Sequence, residues 1–183
     1  MKKILFIIFS FLSIGAYAQI IDFDNFNETL MNQIMFDEMN KRTKQLHNGD
    51  SLIWSSVIQE DIMTDNYNYI KIHALQHNPK WIQVDLPDSI KVKINNEILK
   101  YSNFKFLTTR YTYSEIIGNV TFWGYDSSFT YQRIATEIIN GWKNSPPHKS
   151  RMDANYMNKV LVGVITYYDK KRRTVYVSFV HIS

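Results

Sequence analysis

Residues 141–152 read GWKNSPPHKSRM and place two consecutive prolines between a tryptophan and a histidine. Pro146 and Pro147 lack backbone N–H donors and hold φ near about −65°, and each proline excludes the residue before it from the helical region. The stretch therefore predicts that a helix ends here and that His148 follows on a rigid support. The simplest alternative is that these residues only stop a helix.

The segments on either side of this stretch carry clear periodic patterns. Before it, Ile134 and Ile138 lie at helical spacing and predict a helix over residues 130–142. After it, residues 160–168 and 174–182 are rich in β-branched and aromatic side chains and flank the polar turn DKKRR. This pattern predicts a β-hairpin.

The N-terminal half predicts two helices. Residues 25–46 repeat apolar side chains at helical intervals, and Asn25 and Glu28 stand at capping-box spacing. Residues 52–70 repeat the helical pattern. Residues 113–123 are apolar and rich in strand-forming types, but the run is too short to decide between strand and helix.

The pattern changes within residues 79–109. An apolar run at residues 81–84 and the alternation of Ile90, Val92 and Ile94 predict two short strands. The order of elements is then helix, helix, irregular strands, helix and hairpin. This order predicts an α+β fold in which helices cover an antiparallel sheet.

Residues 1–18 have the features of a secretory signal peptide. Two lysines precede an apolar run, and Ala16 and Ala18 give the small-residue pattern of a cleavage site. We expect a single domain over residues 19–183 in a secreted or periplasmic protein. The apolar run is shorter than the roughly 20 residues that a membrane helix needs, so no transmembrane segment is expected.

The composition excludes several classes of site and partner. The chain has 183 residues and no cysteine, which predicts no disulfide, no thiolate nucleophile and no cysteine-ligated metal. Lys and Arg number 21 against 17 Asp and Glu, and two of the lysines belong to the predicted signal peptide. This balance, with its longest basic run at residues 170–173, argues against a nucleic-acid partner.

Several stretches occur in an order that resembles the bacterial branch of the CAP (SCP-like) domain family, which includes cysteine-rich secretory proteins, antigen 5 and plant pathogenesis-related proteins. The resemblance covers roughly residues 36–180, and its strongest element is Trp-x-x-Ser-Pro-x-His at residues 142–148. The other stretches are FDEMNKRTKQL (36–46), LIWSSVIQEDI (52–62), YSEIIGN (113–119) and the closing hairpin VLVGVITYY with TVYVSFV.

The resemblance implies a three-layer α-β-α sandwich with a mostly antiparallel sheet and a surface cleft lined by histidine and acidic residues. Carried over to this sequence, the cleft residues are His77, Glu115 and His148. Trp142 is expected to anchor the helix behind the cleft, and Ser145 belongs to the same expected cleft.

The sequence departs from the family pattern at three places. Ser114 and Ile116 flank the glutamate where the family commonly has Gly and Asn. Ser145 stands where animal and plant members have a second acidic residue, as it does in many bacterial members. Residues 79–109 form an insertion, relative to compact members, that either covers the cleft or extends the sheet.

The chemistry of the three cleft residues leaves two interpretations open. His77 and His148, together with Glu115, could hold a divalent metal such as zinc with one open position. Alternatively, the carboxylate could fix the tautomer of an imidazole that acts as a general base. His73 lies four residues before His77, which offers a second pairing for zinc.

The remaining histidines, His47 and His181, are interpreted as surface or hairpin-edge residues. Three functions are therefore compatible with the sequence. The first is binding of a small molecule, a lipid or a peptide in the cleft, with or without a divalent metal. The second is a hydrolase, for instance a protease, and the third is a surface interaction module that uses residues 79–109.

Overall fold

The structure is a computed structural model of the chain. It describes residues 20–47, 51–82, 85–101, 111, 113–122, 129–153 and 161–182, with the side chain of residue 82 set aside. The predicted signal peptide lies outside these residues.

The first helix, α1, spans Glu28–Leu46. Its N-cap is Asn27, whose side-chain oxygen accepts a hydrogen bond from the amide of Leu30 at 2.9 Å. The prediction that Asn25 caps this helix is wrong, because the Asn25 side chain donates instead to Asp22 at 2.7 Å. The helix buries a stripe of apolar side chains that consists of Met31, Ile34, Met35 and Met39.

The second predicted helix begins later than expected, because its first residues form a strand. Strand β1, Ile53–Trp54, pairs in parallel with residues 161 and 162. A π-helical segment, Ile58–Ile62, then leads directly into helix α2, Met63–His73. The chain leaves α2 at Ala74, which has a positive φ of 55°.

The strands predicted within residues 79–109 are helices. Helix α3 spans Pro79–Ile82 and helix α4 spans Asp88–Ile98. The buried residues of α4 are Ile90, Ile94 and Ile98, at helical spacing, whereas Val92 is 58% exposed. The alternation that predicted a strand was thus produced by one solvent-facing valine. Residues 102–110 lie outside the described part of the chain.

Glu97 fixes α4 to the start of the helical segment that leads into α2. Its buried carboxylate accepts hydrogen bonds from the Ser55 hydroxyl, from the Ser56 amide at 2.8 Å and from the Ser56 hydroxyl at 3.0 Å. A carboxylate is favoured at a helix N-terminus, where backbone N–H groups lack partners. Residues 85–101 are therefore joined to the domain by a buried charge as well as by apolar contacts.

Within the described residues the sheet has four strands, in the order β1-β3-β4-β2. Strand β2 spans Tyr113–Thr121, β3 spans Leu161–Asp169 and β4 spans Thr174–Ile182. The β3–β4 hairpin around residues 169–173 is confirmed, and β2 pairs antiparallel with β4. Strand β2 forms one edge of this sheet.

The opening stretch joins two helices. Helix α5, Tyr131–Asn144, confirms the predicted helix, and helix α6, Pro146–Met152, follows after the single extended residue Ser145. Pro146 forces Ser145 out of the helical region and so ends α5. The same prolines start α6, since the first helical positions need no N–H donor. His148 therefore lies on a helix.

Helices pack on both faces of the sheet, because side chains alternate along each strand. Strand β4 gives Val175, Val177 and Phe179 to one apolar cluster, which includes residues of α1 and α5. It gives Val180 and Ile182 to a second cluster, with residues of the π-helical segment and α4. The α+β class is thereby confirmed. Among the described helices, none is long and apolar enough to cross a membrane.

Trp142 locks α5 against β2. Its indole is buried and donates a hydrogen bond to the carbonyl of Ile117 at 2.9 Å. The ring lies directly over Gly118, where a Cβ atom would stand 2.5 Å from Nε1 of the indole. Only glycine leaves room for this contact.

We expect Gly118→Ala to lower the free energy of unfolding by about 2–3 kcal/mol, because the new methyl displaces Trp142 and breaks its hydrogen bond. Urea denaturation measures this loss. The matched control is Gly141→Ala on α5, where a Cβ meets nothing within 4 Å. This control should leave stability unchanged or raise it by up to about 1 kcal/mol. Equal stability of the Gly118→Ala variant and the parent would contradict the assignment.

Candidate functional site

Glu115 is a buried carboxylate on the edge strand β2, with its side chain 1% exposed. Its Oε1 atom accepts hydrogen bonds from the Ser178 hydroxyl at 2.6 Å and from the Asn66 amide at 3.1 Å. Its Oε2 atom lies 3.0 Å from Nδ1 of His77. Removing a carboxylate from water costs several kcal/mol unless donors replace the lost solvent. These three side chains supply such donors.

Asn66 is oriented by a second layer of hydrogen bonds. It is fully buried on α2 and accepts a hydrogen bond at its side-chain oxygen from the Asn78 amide at 3.1 Å. Its own amide also donates to the Tyr113 hydroxyl at 3.2 Å. Burial, followed by the negative charge of Glu115, raises the pKa of Tyr113 far above its ordinary value. Tyr113 therefore stays a neutral phenol beside the carboxylate.

His77 connects the buried carboxylate to solvent. It lies in the segment between α2 and α3, and its side chain is 36% exposed. Because a carboxylate only accepts, Nδ1 of His77 carries the hydrogen and donates to Glu115. In the neutral ring Nε2 then has the lone pair. This is the tautomer that a general base or a hydrogen-bond acceptor requires.

His148 lies on α6, near enough to His77 and Arg151 for their charges to act on its ring. Partial burial first, and then the nearby charges of His77 and Arg151, lower the pKa of His148 below its ordinary value of 6.5. The structure thus brings together His77 and Glu115 in direct contact and places His148 in the same electrostatic environment. His73 does not join them, since its ring is exposed and stacks on Tyr69 with a centroid distance of 4.2 Å.

Arg151 is a site residue that the sequence interpretation missed. Its guanidinium donates to the backbone carbonyl of Glu115 at 2.8 Å, on the outer edge of β2. With the bond from Trp142 to Ile117, two side chains from α5 and α6 cover carbonyls that an edge strand leaves without strand partners. The signal was present in the sequence, because Arg151 lies three residues after His148 and so on the same face of a helix.

His181 is buried, which contradicts its interpretation as a surface or hairpin-edge residue. It lies on the central strand β4, between Ser114 of β2 and Val162 of β3, and is 0% exposed. Burial, and then the positive charge of Arg151, lowers the pKa of His181 to about 4. His181 is therefore a neutral ring in the interior, paired with Ser114 across the sheet.

A cavity of about 210 Å³ opens at this edge of the sheet. The described residues that line it are His77, Tyr113, Ser114, Glu115 and Arg151. Three residues of the expected cleft, His148, Trp142 and Ser145, are not among the residues that line it. Trp142 is buried in the core against Phe179, with ring centroids 6.4 Å apart. Ser145 ends α5 and begins α6, and its side chain makes no capping hydrogen bond.

The donor set was tested against the expected divalent metal. Both oxygens of Glu115 already accept hydrogen bonds from protein groups. In the part of the chain that the structure describes, no three His, Cys, Asp or Glu side chains are grouped so that they could hold a metal ion. A site made of His77, Glu115 and His148 together therefore does not fit this arrangement.

The chain was compared with protein-family models, with curated proteins and with solved structures, and no significant match was found in any of the three comparisons.

The burial of His181 makes stability depend on pH. The unfolded chain binds a proton at His181 near pH 6.5, whereas the folded chain resists this proton down to about pH 4. Above pH 6.5 the His181 ring is neutral in both states and does not lower the free energy of unfolding. As the pH falls from 6.5 towards 4, only the unfolded chain binds the proton, so the free energy of unfolding decreases. We expect a loss of about 3 kcal/mol from this residue, measured by urea denaturation across that range.

In the variant His181→Gln this part of the pH dependence should disappear, because glutamine does not titrate. Nuclear magnetic resonance (NMR) of the imidazole gives a direct check. A His181 ring that titrates near pH 6.5 in the folded protein would contradict the assignment.

Proposed function

We propose that the chain is an exported CAP-type domain, built as a three-layer α-β-α sandwich, that binds a small ligand in the cleft beside His77, Glu115 and His148. The ligand is a small molecule, or the end of a lipid or of a peptide. The order of the sequence elements and the geometry at the edge of the sheet both support this proposal.

The observation that carries the proposal is the meeting of distant residues at a cavity. His77 and Glu115 are 38 residues apart, yet their side chains lie 3.0 Å apart at the wall of the cavity. The second histidine, His148, lies on a separate helix, α6, whose Arg151 lines the same cavity. A domain that needed only a stable core would gain little from burying a carboxylate at its surface edge.

The cavity favours a ligand with a polar end. Its lining combines an imidazole, a phenol, a hydroxyl, a carboxylate and a guanidinium. A volume of about 210 Å³ holds roughly seven waters at their share of liquid volume, which is the space of one small polar group with its substituents. A long acyl chain would have to lie outside it.

A second candidate, hydrolysis, is favoured by the contact between His77 and Glu115. The carboxylate holds Nδ1–H and stabilises the imidazolium that forms when Nε2 takes a proton from an attacking water. Arg151 at the same cavity could stabilise the developing oxyanion. Cleavage of a peptide library that is lost in His77→Gln would support this candidate, and equal inactivity of both proteins would count against it.

The experiment that tests ligand binding uses the histidine rings as reporters. The chain contains five histidines, all within the described residues, so each ring can be followed by NMR. A fragment set of amino acids, sugars and short peptides is titrated into the labelled protein. We expect binding fragments to shift the rings of His77 and His148 together and to leave His73 unaffected.

The variant His77→Gln should weaken such binding at least tenfold, read on the His148 ring. The matched control is His73→Gln, four residues earlier on an exposed ring, which should bind as the parent does. Zinc is titrated as a separate arm, which tests whether His77 and His148 bind a metal as a pair, without Glu115. If neither ring responds to any fragment or to zinc, the proposed function is wrong.

A further inference from the structure

The cavity at the edge of β2 presents hydrogen-bond donors and positive charge to its contents. Its carboxylate, Glu115, faces into the protein, where Asn66, Ser178 and His77 occupy both oxygens. Both oxygens of the acidic group of the site are thus already occupied by hydrogen bonds from the protein.

Arg151 offers the matching positive group. A guanidinium has five N–H donors in a rigid fork. One of them donates to the carbonyl of Glu115 at 2.8 Å, which fixes the plane of the group against the edge strand. Arg151 is exposed and lines the cavity, so the rest of the fork is available at its surface.

The other groups at the cavity are compatible with an anion. Tyr113 remains a neutral phenol, and Ser114 offers a hydroxyl. The nearby imidazoles are His77, whose Nδ1 lies 3.0 Å from Glu115, and His148 on α6. Together with Arg151 they lie on two segments of the chain, helix α6 and the segment between α2 and α3.

We propose that the ligand of this cavity carries a carboxylate, which Arg151 binds through two parallel hydrogen bonds with His77 and His148 beside it. This inference rests on the proposed function, since both place the ligand in the same cavity. A carboxylate has the planar geometry of the guanidinium fork, and such charge-assisted pairs are about twice as strong as neutral hydrogen bonds. The limited volume admits the carboxylate end of a small acid or the C-terminal residue of a peptide.

The test compares an acid with its neutral counterpart. N-acetylglycine and N-acetylglycinamide have nearly the same size and differ in charge, and both are titrated while the His77 and His148 rings are followed by NMR. We expect the acid to bind at least tenfold more tightly than the amide. An acetylated tripeptide acid distinguishes the two possible sources of the carboxylate. Binding as tight as that of N-acetylglycine, or tighter, indicates a peptide C-terminus, and no binding of the tripeptide indicates a free small acid.

Variants then assign the binding to Arg151. Arg151→Gln should weaken binding of N-acetylglycine at least tenfold, and Arg151→Lys should retain part of it, because lysine keeps the charge without the fork. The matched control, Arg133→Gln on α5, removes an exposed arginine that pairs with Glu137 at 3.0 Å and should leave binding unchanged. The comparison of acid with amide needs no variant, so it holds even if Arg151→Gln is poorly folded.

The outcomes separate this inference from the proposed function. If acid and amide bind equally well and shift both rings, the inference of a carboxylate ligand is wrong, whereas the proposal of a binding cleft still holds. Binding of inorganic phosphate without binding of the acid would also overturn it. If no compound shifts either ring, both proposals fail.

Discussion

The buried carboxylate of Glu115 is the group on which the rest of the site depends. A charge that is 1% exposed persists only when donors surround it, and those donors come from α2, from β4 and from the segment before α3. Meeting this requirement fixes the position of His77 relative to the edge strand. On the outer side of the same strand, Arg151 binds the backbone of Glu115 itself. One residue thus aligns both walls of the cavity.

The fold could be predicted where one pattern had a single interpretation. The hairpin followed from two strand-like runs around a charged turn, and α5 followed from its apolar spacing. The strand predicted at residues 90–94 was wrong, because Ile90 and Ile94 satisfy both the helical period and the alternation of a strand. Val92 completed the alternation that predicted a strand, yet its side chain faces solvent on a helix and is 58% exposed. The burial of each side chain distinguishes a helical period from the alternation of a strand, and the sequence alone does not give that burial.

The site could be predicted only in part, for a related reason. His77, Glu115 and His148 were selected by resemblance and by residue chemistry, and the structure brings His77 and Glu115 into contact, whereas His148 does not line their cavity. Arg151 had a local signal, its spacing from His148, that was not used. His181 had no such signal, because its burial depends on β4 lying between β3 and β2. The order of strands is a long-range property that the periodicity of one strand does not reveal.

His77 and Glu115 form one interacting pair that organises the cavity. A double-mutant cycle of His77→Gln, Glu115→Gln and the double variant, read as free energies of unfolding, measures the interaction between the two side chains. We expect a coupling free energy of at least about 1 kcal/mol, as for hydrogen bonds to charged groups. Strictly additive losses, with no coupling, would contradict it.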